Sequence, residues 1–149
     1  AMPLAIALAS FAIAAPNPLS FGGRVAPFDP AHPGIAGLTR HPLLWALFLW
    51  SAAHLVANGD LAHVILFGLF AGFSLLGMRV IDARHRRLWG GAEFARLAAH
   101  TETLPFAALI SGRWRPVKWP SWRRALVAVL VWAAVLQLHM PVIGVSPLP

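Results

Sequence analysis

The stretch TRHPLLWALFLWSAAHLVANGD, residues 39–60, decides the fold of this chain. It begins with an Arg-His-Pro triplet, continues as an apolar run from Pro42 and ends in an Asn-Gly-Asp turn. Proline suits the first turn of a helix, Asn-Gly suits a helix end, and an aspartate can cap the helix that follows. The stretch therefore predicts a helix over residues 42–57, with His41 at or near its N-cap, that turns at Asp60 into a second helix.

The composition of the chain indicates that this hairpin lies in a membrane. Of the 149 residues, 58% are hydrophobic and 11% are charged, whereas soluble domains are nearer 45–50% apolar and about 25% charged. Apolar stretches at residues 2–15, 42–57, 61–78 and 125–145 predict a single all-α domain over residues 1–149 with about four transmembrane helices. The first stretch is short, and Ala12-Ile13-Ala14 would also fit a signal-peptide cleavage site.

The basic residues predict the orientation of these helices. Arg24 and Arg40 lie between the first two stretches, and the other ten Lys and Arg residues lie within residues 79–124, between the last two. Because basic loops stay in the cytoplasm, we expect a multi-pass membrane protein with the N-terminus and the tail VSPLP outside. The net charge of +7 is thus an orientation signal. No nucleic-acid-binding motif accompanies it, so the expected partner is the lipid bilayer.

The basic loop and the first linker have their own patterns. Phe94, Leu97 and Ala98 recur at helical spacing opposite Glu93 and Arg96, which predicts an amphipathic helix over residues 81–100 on the cytoplasmic surface of the bilayer. The segment PNPLSFGGRVAPFDPAHPG, residues 16–34, is rich in Pro and Gly and predicts a cytoplasmic linker. Three tryptophans ahead of the last stretch are expected at the membrane interface: Trp114, Trp119 and Trp122.

Three histidines in or beside the apolar stretches are candidate ligands. At ~1.5 Å per residue, His54 lies about 18 Å beyond Pro42 and His139 about 21 Å beyond Ala125, and His63 follows the Asn-Gly-Asp turn at a similar level. Imidazoles between apolar helices can bind haem b, zinc or copper. Trp50 would share the face of His54 and form a wall of such a pocket. Alternatively, His54 and His139 hydrogen-bond to carbonyl groups or to each other and fix the packing.

The remaining polar residues predict no chemistry. His32, His85 and His100 are expected to be solvated, and His41 to cap a helix. The five acidic residues are scattered, the sequence contains no cysteine, and it has neither a phosphate-binding glycine loop nor a G-x-S-x-G or H-E-x-x-H motif. Whether the protein is an enzyme is left open by these residues.

Three strings of the sequence are distinctive: GLTRHPLLWALFLWSAAHLVANGDLAHVILFGLFAGFSLLGMRVIDARHRR, HTETLPFAALISGR and LHMPVIGVSPLP. Together they resemble the NnrU family of bacterial membrane proteins. The resemblance implies a multi-pass protein of the bacterial inner membrane and an accessory factor in the reduction of nitrite and nitric oxide, that is, in denitrification. It also implies further upstream spans. NnrU proteins are in turn similar to the 15-cis-zeta-carotene isomerases, which bind haem b. That similarity implies a haem ligand thirteen residues after the histidine of the Arg-His-Pro triplet, at His54, and supports His139 through its Leu-His pair. It places the second ligand in an upstream span.

A more distant resemblance is to the isoprenylcysteine-type membrane methyltransferases, which bind S-adenosylmethionine. The residues that carry this resemblance are Arg40 and His41, followed by Asp82, Glu93-Phe94 and Thr101. The pair Ile81-Asp82 supplies one acid where that family has two. The site residues predicted by sequence are therefore His54, His139, Trp50 and His41 for a cofactor, with His54 and His139 as metal ligands. The alternatives to an accessory factor are a membrane isomerase or methyltransferase, and a structural subunit of a larger membrane complex.

Overall fold

The computed structural model describes residues 1–24 and 27–146, and within them the chain is all-helical. The helices are α1 (Met2–Ala12), α2 (Ile35–Leu38), α3 (Pro42–Ala57), α4 (Leu61–Trp89), α5 (Gly91–Ala98), α6 (Ala107–Ile110) and α7 (Trp122–Ile143). Val25 and Ala26 of the predicted linker, and Pro147, Leu148 and Pro149 of the predicted outer tail, lie outside the described residues.

The long helices form a row in which α7 packs on α1, α1 on α3, and α3 on α4. Gly77 marks the close approach of α3 and α4, because a Cβ atom added there would lie 3.6 Å from a methyl group of Leu44. The C-terminal end of α1 contacts the N-terminal end of α7 through Arg124, which donates to the carbonyl of Phe11 (2.6 Å). One end of the row therefore contains the end of α1 and the starts of α3 and α7.

The predicted hairpin is confirmed at both of its ends. Helix α3 begins at Pro42 with His41 as N-cap and ends at Ala57, as predicted. The side chain of Asp60 accepts a hydrogen bond from the backbone N–H of His63 (3.1 Å), which is the predicted cap of α4. The turn between them needs only Asn58, Gly59 and Asp60, so α3 and α4 are antiparallel neighbours.

Two predicted boundaries in the basic region are wrong. Helix α4 does not end near Met78 but continues for 29 residues to Trp89, so residues 81–89 belong to it and not to a separate amphipathic helix. The apolar run ends at Arg79, but arginine is a good helix former and neither Gly nor Pro interrupts the chain before Gly90. Gly90, with a φ of 82°, breaks the helix. Helix α5 follows, with Phe94 and Ala98 buried as the spacing predicts.

The membrane-spanning prediction is supported only for the two longest helices. Helices α4 and α7 are long and apolar enough to cross a bilayer, whereas α1 and α3 are shorter apolar helices. Helix α1 ends at Ala12 instead of residue 15, because the chain turns at Ala14, whose φ is 53°, just ahead of Pro16. Helix α7 starts at Trp122 and ends at Ile143, where Gly144 takes a left-handed conformation (φ 85°).

Candidate functional site

A region of buried, hydrogen-bonded polar residues surrounds the start of α3. The backbone N–H of Arg40 donates to the carbonyl of Glu102 (2.6 Å). The carbonyl of Thr103 accepts from the hydroxyl of Thr39 (2.8 Å) and from the indole N–H of Trp45 (2.8 Å). The segment that follows α5 is therefore held against the Arg-His-Pro triplet by backbone as well as side-chain hydrogen bonds.

Arg40 and Asp82 form a buried ion pair beside this segment. The side chains are only 8% exposed each, and the Arg40 guanidinium also donates from Nε to the hydroxyl of Thr101 (3.0 Å). It lies 5.2 Å from the ring centre of Phe94, in a cation–π contact. Burial lowers the pKa of Arg40, and the Asp82 carboxylate opposes that shift. The guanidinium is therefore a fixed cation that requires its partner.

His41 joins the same ion pair from the other side and has no exposed surface. Its Nε2 lies 3.1 Å from the second oxygen of Asp82, and its Nδ1 lies 2.9 Å from the hydroxyl of Ser20. Because a carboxylate only accepts, Nε2 carries the proton in the neutral ring and Nδ1 accepts from Ser20. Asn17 lies in the same loop after α1 as Ser20, and its side chain donates a hydrogen bond to the carbonyl of Arg40 (3.0 Å).

We call Ser20, Arg40, His41, Asp82 and Thr101 the Arg40 cluster. The prediction that His41 serves only as a helix cap is wrong, because its side chain makes no capping hydrogen bond and instead bridges the loop after α1 to α4. The hydrogen-bonded series Ser20–His41–Asp82 has the connectivity of a hydrolase triad. However, the imidazole is fully buried and the charge of Asp82 is also neutralised by Arg40. The geometry therefore serves to fix four chain segments to one another.

The methyltransferase resemblance named four residues of the Arg40 cluster, but sequence reasoning did not predict their contacts and missed Ser20. It considered Asp82 only as one acid of a methyltransferase resemblance, and it gave no role to Ser20 or Asn17. The available signal was an isolated carboxylate among the arginines that begin the predicted amphipathic segment of residues 81–100. Of the residues that carry the methyltransferase resemblance, the structure brings together Arg40, His41, Asp82, Phe94 and Thr101, whereas Glu93 pairs with Arg96 on the surface (2.7 Å).

His54 lies near the opposite end of α3, in an aromatic environment. Its Nδ1 donates to the carbonyl of Trp50 (2.8 Å), one turn earlier. The imidazole centre is 5.0 Å from the ring centre of Trp50 and 4.9 Å from that of Phe67 on α4. The structure thus brings Trp50 and His54 together, as predicted from their spacing. The hydrogen bond at Nδ1 makes Nε2 the nitrogen that would ligate a metal ion.

Of the other two candidate ligands, His63 shares an aromatic neighbour with His54, whereas His139 lies on a different helix, α7. His63 stacks on the same Phe67 ring, with 5.9 Å between ring centres, and its Nδ1 hydrogen-bonds to Asp60. His139 lies on α7, where its Nδ1 donates to the carbonyl of Val145 (2.8 Å). Among residues 1–24 and 27–146, no hydrogen bond or ring contact joins His139 to His54, and no group of three or more His, Cys, Asp or Glu side chains could hold a metal ion.

The three remaining histidines are not equivalent. His32 is exposed and pairs with Asp29 (2.7 Å), and His100 donates to the carbonyl of Arg113. His85 differs from the expected solvated residue: its ring stacks on Trp89 at 4.1 Å between centres, and within the described part of the chain its buried Nδ1 has no hydrogen-bond partner.

Comparison with known proteins gives one positive result. The chain matches the family model described as NnrU protein over residues 1–147. No curated protein and no solved structure matches it. The family match covers the hairpin of α3 and α4, the Arg40 cluster and the three candidate histidines. The chain therefore belongs to the NnrU family.

Proposed function

We propose that this NnrU-family chain is a multi-pass protein of the bacterial cytoplasmic membrane. In this proposal α4 and α7 cross the bilayer, and the shorter α1 and α3 cross it together with their flanking residues or where the bilayer is locally thinner. The support is the apolar surface: only 17% of the apolar window of α4 and 6% of that of α7 is buried inside the protein. Water would penalise such a surface, whereas lipid would not.

The position of the charges supports an orientation. Arg40 and the arginines at the end of α4 lie at the same end of the row as the start of α7, and the Asn58–Asp60 turn carries no basic residue. By the positive-inside rule, the Arg40 cluster faces the cytoplasm. Alkaline phosphatase inserted after Gly59 should therefore be active, and green fluorescent protein inserted after Gly112 should fluoresce. The opposite pair of results would invert the orientation.

The physiological role we propose is that of an accessory factor in the respiratory reduction of nitrite and nitric oxide. The observation that carries it is the family match over residues 1–147, together with the role that the NnrU resemblance implies. The test is deletion of the gene in a denitrifying bacterium, with nitrite and nitric oxide consumption measured under anaerobic growth. We expect consumption to fall and to recover when the gene is restored. Unchanged consumption of both compounds would reject this role.

We further propose that His54 would hold haem b through its imidazole. Its Nε2 is the nitrogen left for an iron, its ring is oriented by the hydrogen bond to Trp50, and Trp50 and Phe67 supply apolar walls. One imidazole in such apolar surroundings could ligate a haem iron. A haem there would supply an iron that exchanges electrons or binds a small ligand.

An absorption spectrum of the purified protein tests this proposal. We expect a Soret band that is lost in the His54→Ala variant and kept in a His32→Ala control, since His32 is exposed, pairs with Asp29 and lies outside the hairpin. The His63→Ala and His139→Ala variants then identify whether either residue contributes the second ligand. A colourless protein that restores nitrite and nitric oxide consumption would reject haem binding.

A second candidate function is that of a structural subunit of a larger membrane complex. The observation that favours it is the internally bonded Arg40 cluster, in which His41 has no exposed surface for a substrate. Stoichiometric co-purification with a respiratory complex, without haem, would support this function over the first. Binding of S-adenosylmethionine in calorimetry, lost in Arg40→Met, would instead support methyl transfer.

A further inference from the structure

A groove of about 400 Å³ lies between α1 and α7, and its lining includes neither a residue of the Arg40 cluster nor His54. Its walls are apolar and include Ile6 on α1, Ile13 just after α1, and Val127 and Val131 on α7. Arg123 and Arg124 also line it. We propose that this groove binds one anionic phospholipid, with an acyl chain along the walls and the phosphate at Arg123. This inference rests on the membrane location proposed above.

Arg124 builds the charged end of the groove. Its Nη1 donates to the carbonyls of Ser10 (3.0 Å), Phe11 (2.6 Å) and Ile13 (3.0 Å). These carbonyls lie at the C-terminal end of α1, where a helix leaves acceptors unpaired and where a positive charge is favourable. Arg124 therefore fixes the spacing of the two helices and keeps the groove open beside it.

Arg123 is the residue left to meet a ligand. Its guanidinium lies 5.7 Å from the ring centre of Trp122. The sequence has five acidic residues, and each is already paired in the described part of the chain: Asp29 with His32, Asp60 with His63, Asp82 with Arg40, Glu93 with Arg96, and Glu102 with Arg113. Among the described residues, therefore, no acidic side chain is left unpaired for Arg123.

The depth of Arg123 matches that of a lipid phosphate. It is the second residue of α7, and Trp119 and Trp122 beside it are 96% and 69% exposed, as expected for tryptophans at the headgroup level of a membrane. A guanidinium binds a phosphate in a planar, two-point geometry. Basic pockets between helices on the cytoplasmic side favour anionic over zwitterionic headgroups. The apolar walls would take up the chain of the same lipid.

Native mass spectrometry of the detergent-purified chain tests this inference with phosphatidylglycerol and phosphatidylcholine as probes. We expect one phosphatidylglycerol to be retained in preference to phosphatidylcholine. The Arg123→Ala variant should lower that retention about fivefold, the factor expected for one basic residue beside an anionic lipid surface. The matched control is Arg115→Ala, which removes the same charge outside the groove and should leave retention unchanged.

A second variant separates the groove from general charge attraction. Val131→Trp fills the apolar part without altering charge and should lower the retention of both lipids. Equal losses in Arg123→Ala and Arg115→Ala, or equal retention of the two lipids by the unaltered chain, would overturn the proposed lipid site while leaving the membrane location intact. A chain that appears in the soluble fraction after carbonate extraction would instead reject the membrane location itself.

Discussion

Asp82 on α4 pairs with Arg40, 42 positions earlier in the chain, and both residues are more than nine-tenths buried. Burying two charges costs several kcal/mol for each ion, and the cost is recovered only when each charge is also well hydrogen-bonded. Here Asp82 accepts from both Arg40 and His41, while Thr101 accepts from the guanidinium. This pair therefore determines how α4 and the segment after α5 sit against the start of α3.

The Asp82→Asn variant should be strongly destabilised, because it keeps the shape of the side chain but leaves the Arg40 charge buried without its counter-ion. We expect the free energy of unfolding to fall by about 3 kcal/mol. Thermal unfolding in one fixed detergent, followed by circular dichroism, measures the change. The control is Glu93→Gln, which removes the carboxylate of an exposed pair with Arg96 and should change stability little. Similar effects of the two variants would contradict this account of the Arg40 cluster.

Replacing both members of the pair by apolar residues should be less harmful than replacing one. In the Arg40→Met, Asp82→Leu double variant neither charge remains to be desolvated, so we expect it to be more stable than either single variant by about 1 kcal/mol or more. A double-mutant cycle on the same unfolding measurement gives this coupling energy. Additive losses would mean that the two side chains act independently.

The sequence predicted the helices better than it predicted the contacts between them. Pro42, Asn58 and Asp60 act locally, so the bounds of α3 and the start of α4 could be read from them. The end of α4 could not, because helix propensity continues past the last apolar residue until Gly90. The Arg40 cluster depends on contacts between side chains that are tens of residues apart in the sequence. The periodicity of a single sequence does not indicate such contacts. Trp50 and His54 were predictable because they lie one turn apart on one helix.

Gly37→Ala should destabilise the packing of α2. A Cβ atom at this position would overlap the indole ring of Trp114, and that tryptophan is held in place by a backbone hydrogen bond to Ala108 (3.0 Å). Overpacking of this kind costs about 1–3 kcal/mol in the free energy of unfolding, which thermal unfolding in one fixed detergent would measure.

Gly91→Ala is the matched control, because a Cβ atom there would meet open space. We expect it to stay within about 0.5 kcal/mol of the unaltered protein. If both variants melt together, Trp114 does not pack on α2.

The N-cap of α4 should make stability depend on pH in the acid range. Hydrogen bonds from the backbone N–H and the ring of His63 hold the pKa of Asp60 below its ordinary value. A carboxyl group whose pKa is lower in the folded than in the unfolded state stabilises the fold fully above its unfolded pKa of about 3.9. That contribution is lost as the pH falls through the lower, folded pKa.

Asp60→Asn supplies the control, because asparagine is also a good N-cap but does not titrate. Melting temperatures of the two proteins should converge toward one another as the pH falls below about 4. A constant difference between them across this range would show that Asp60 does not contribute to the acid sensitivity.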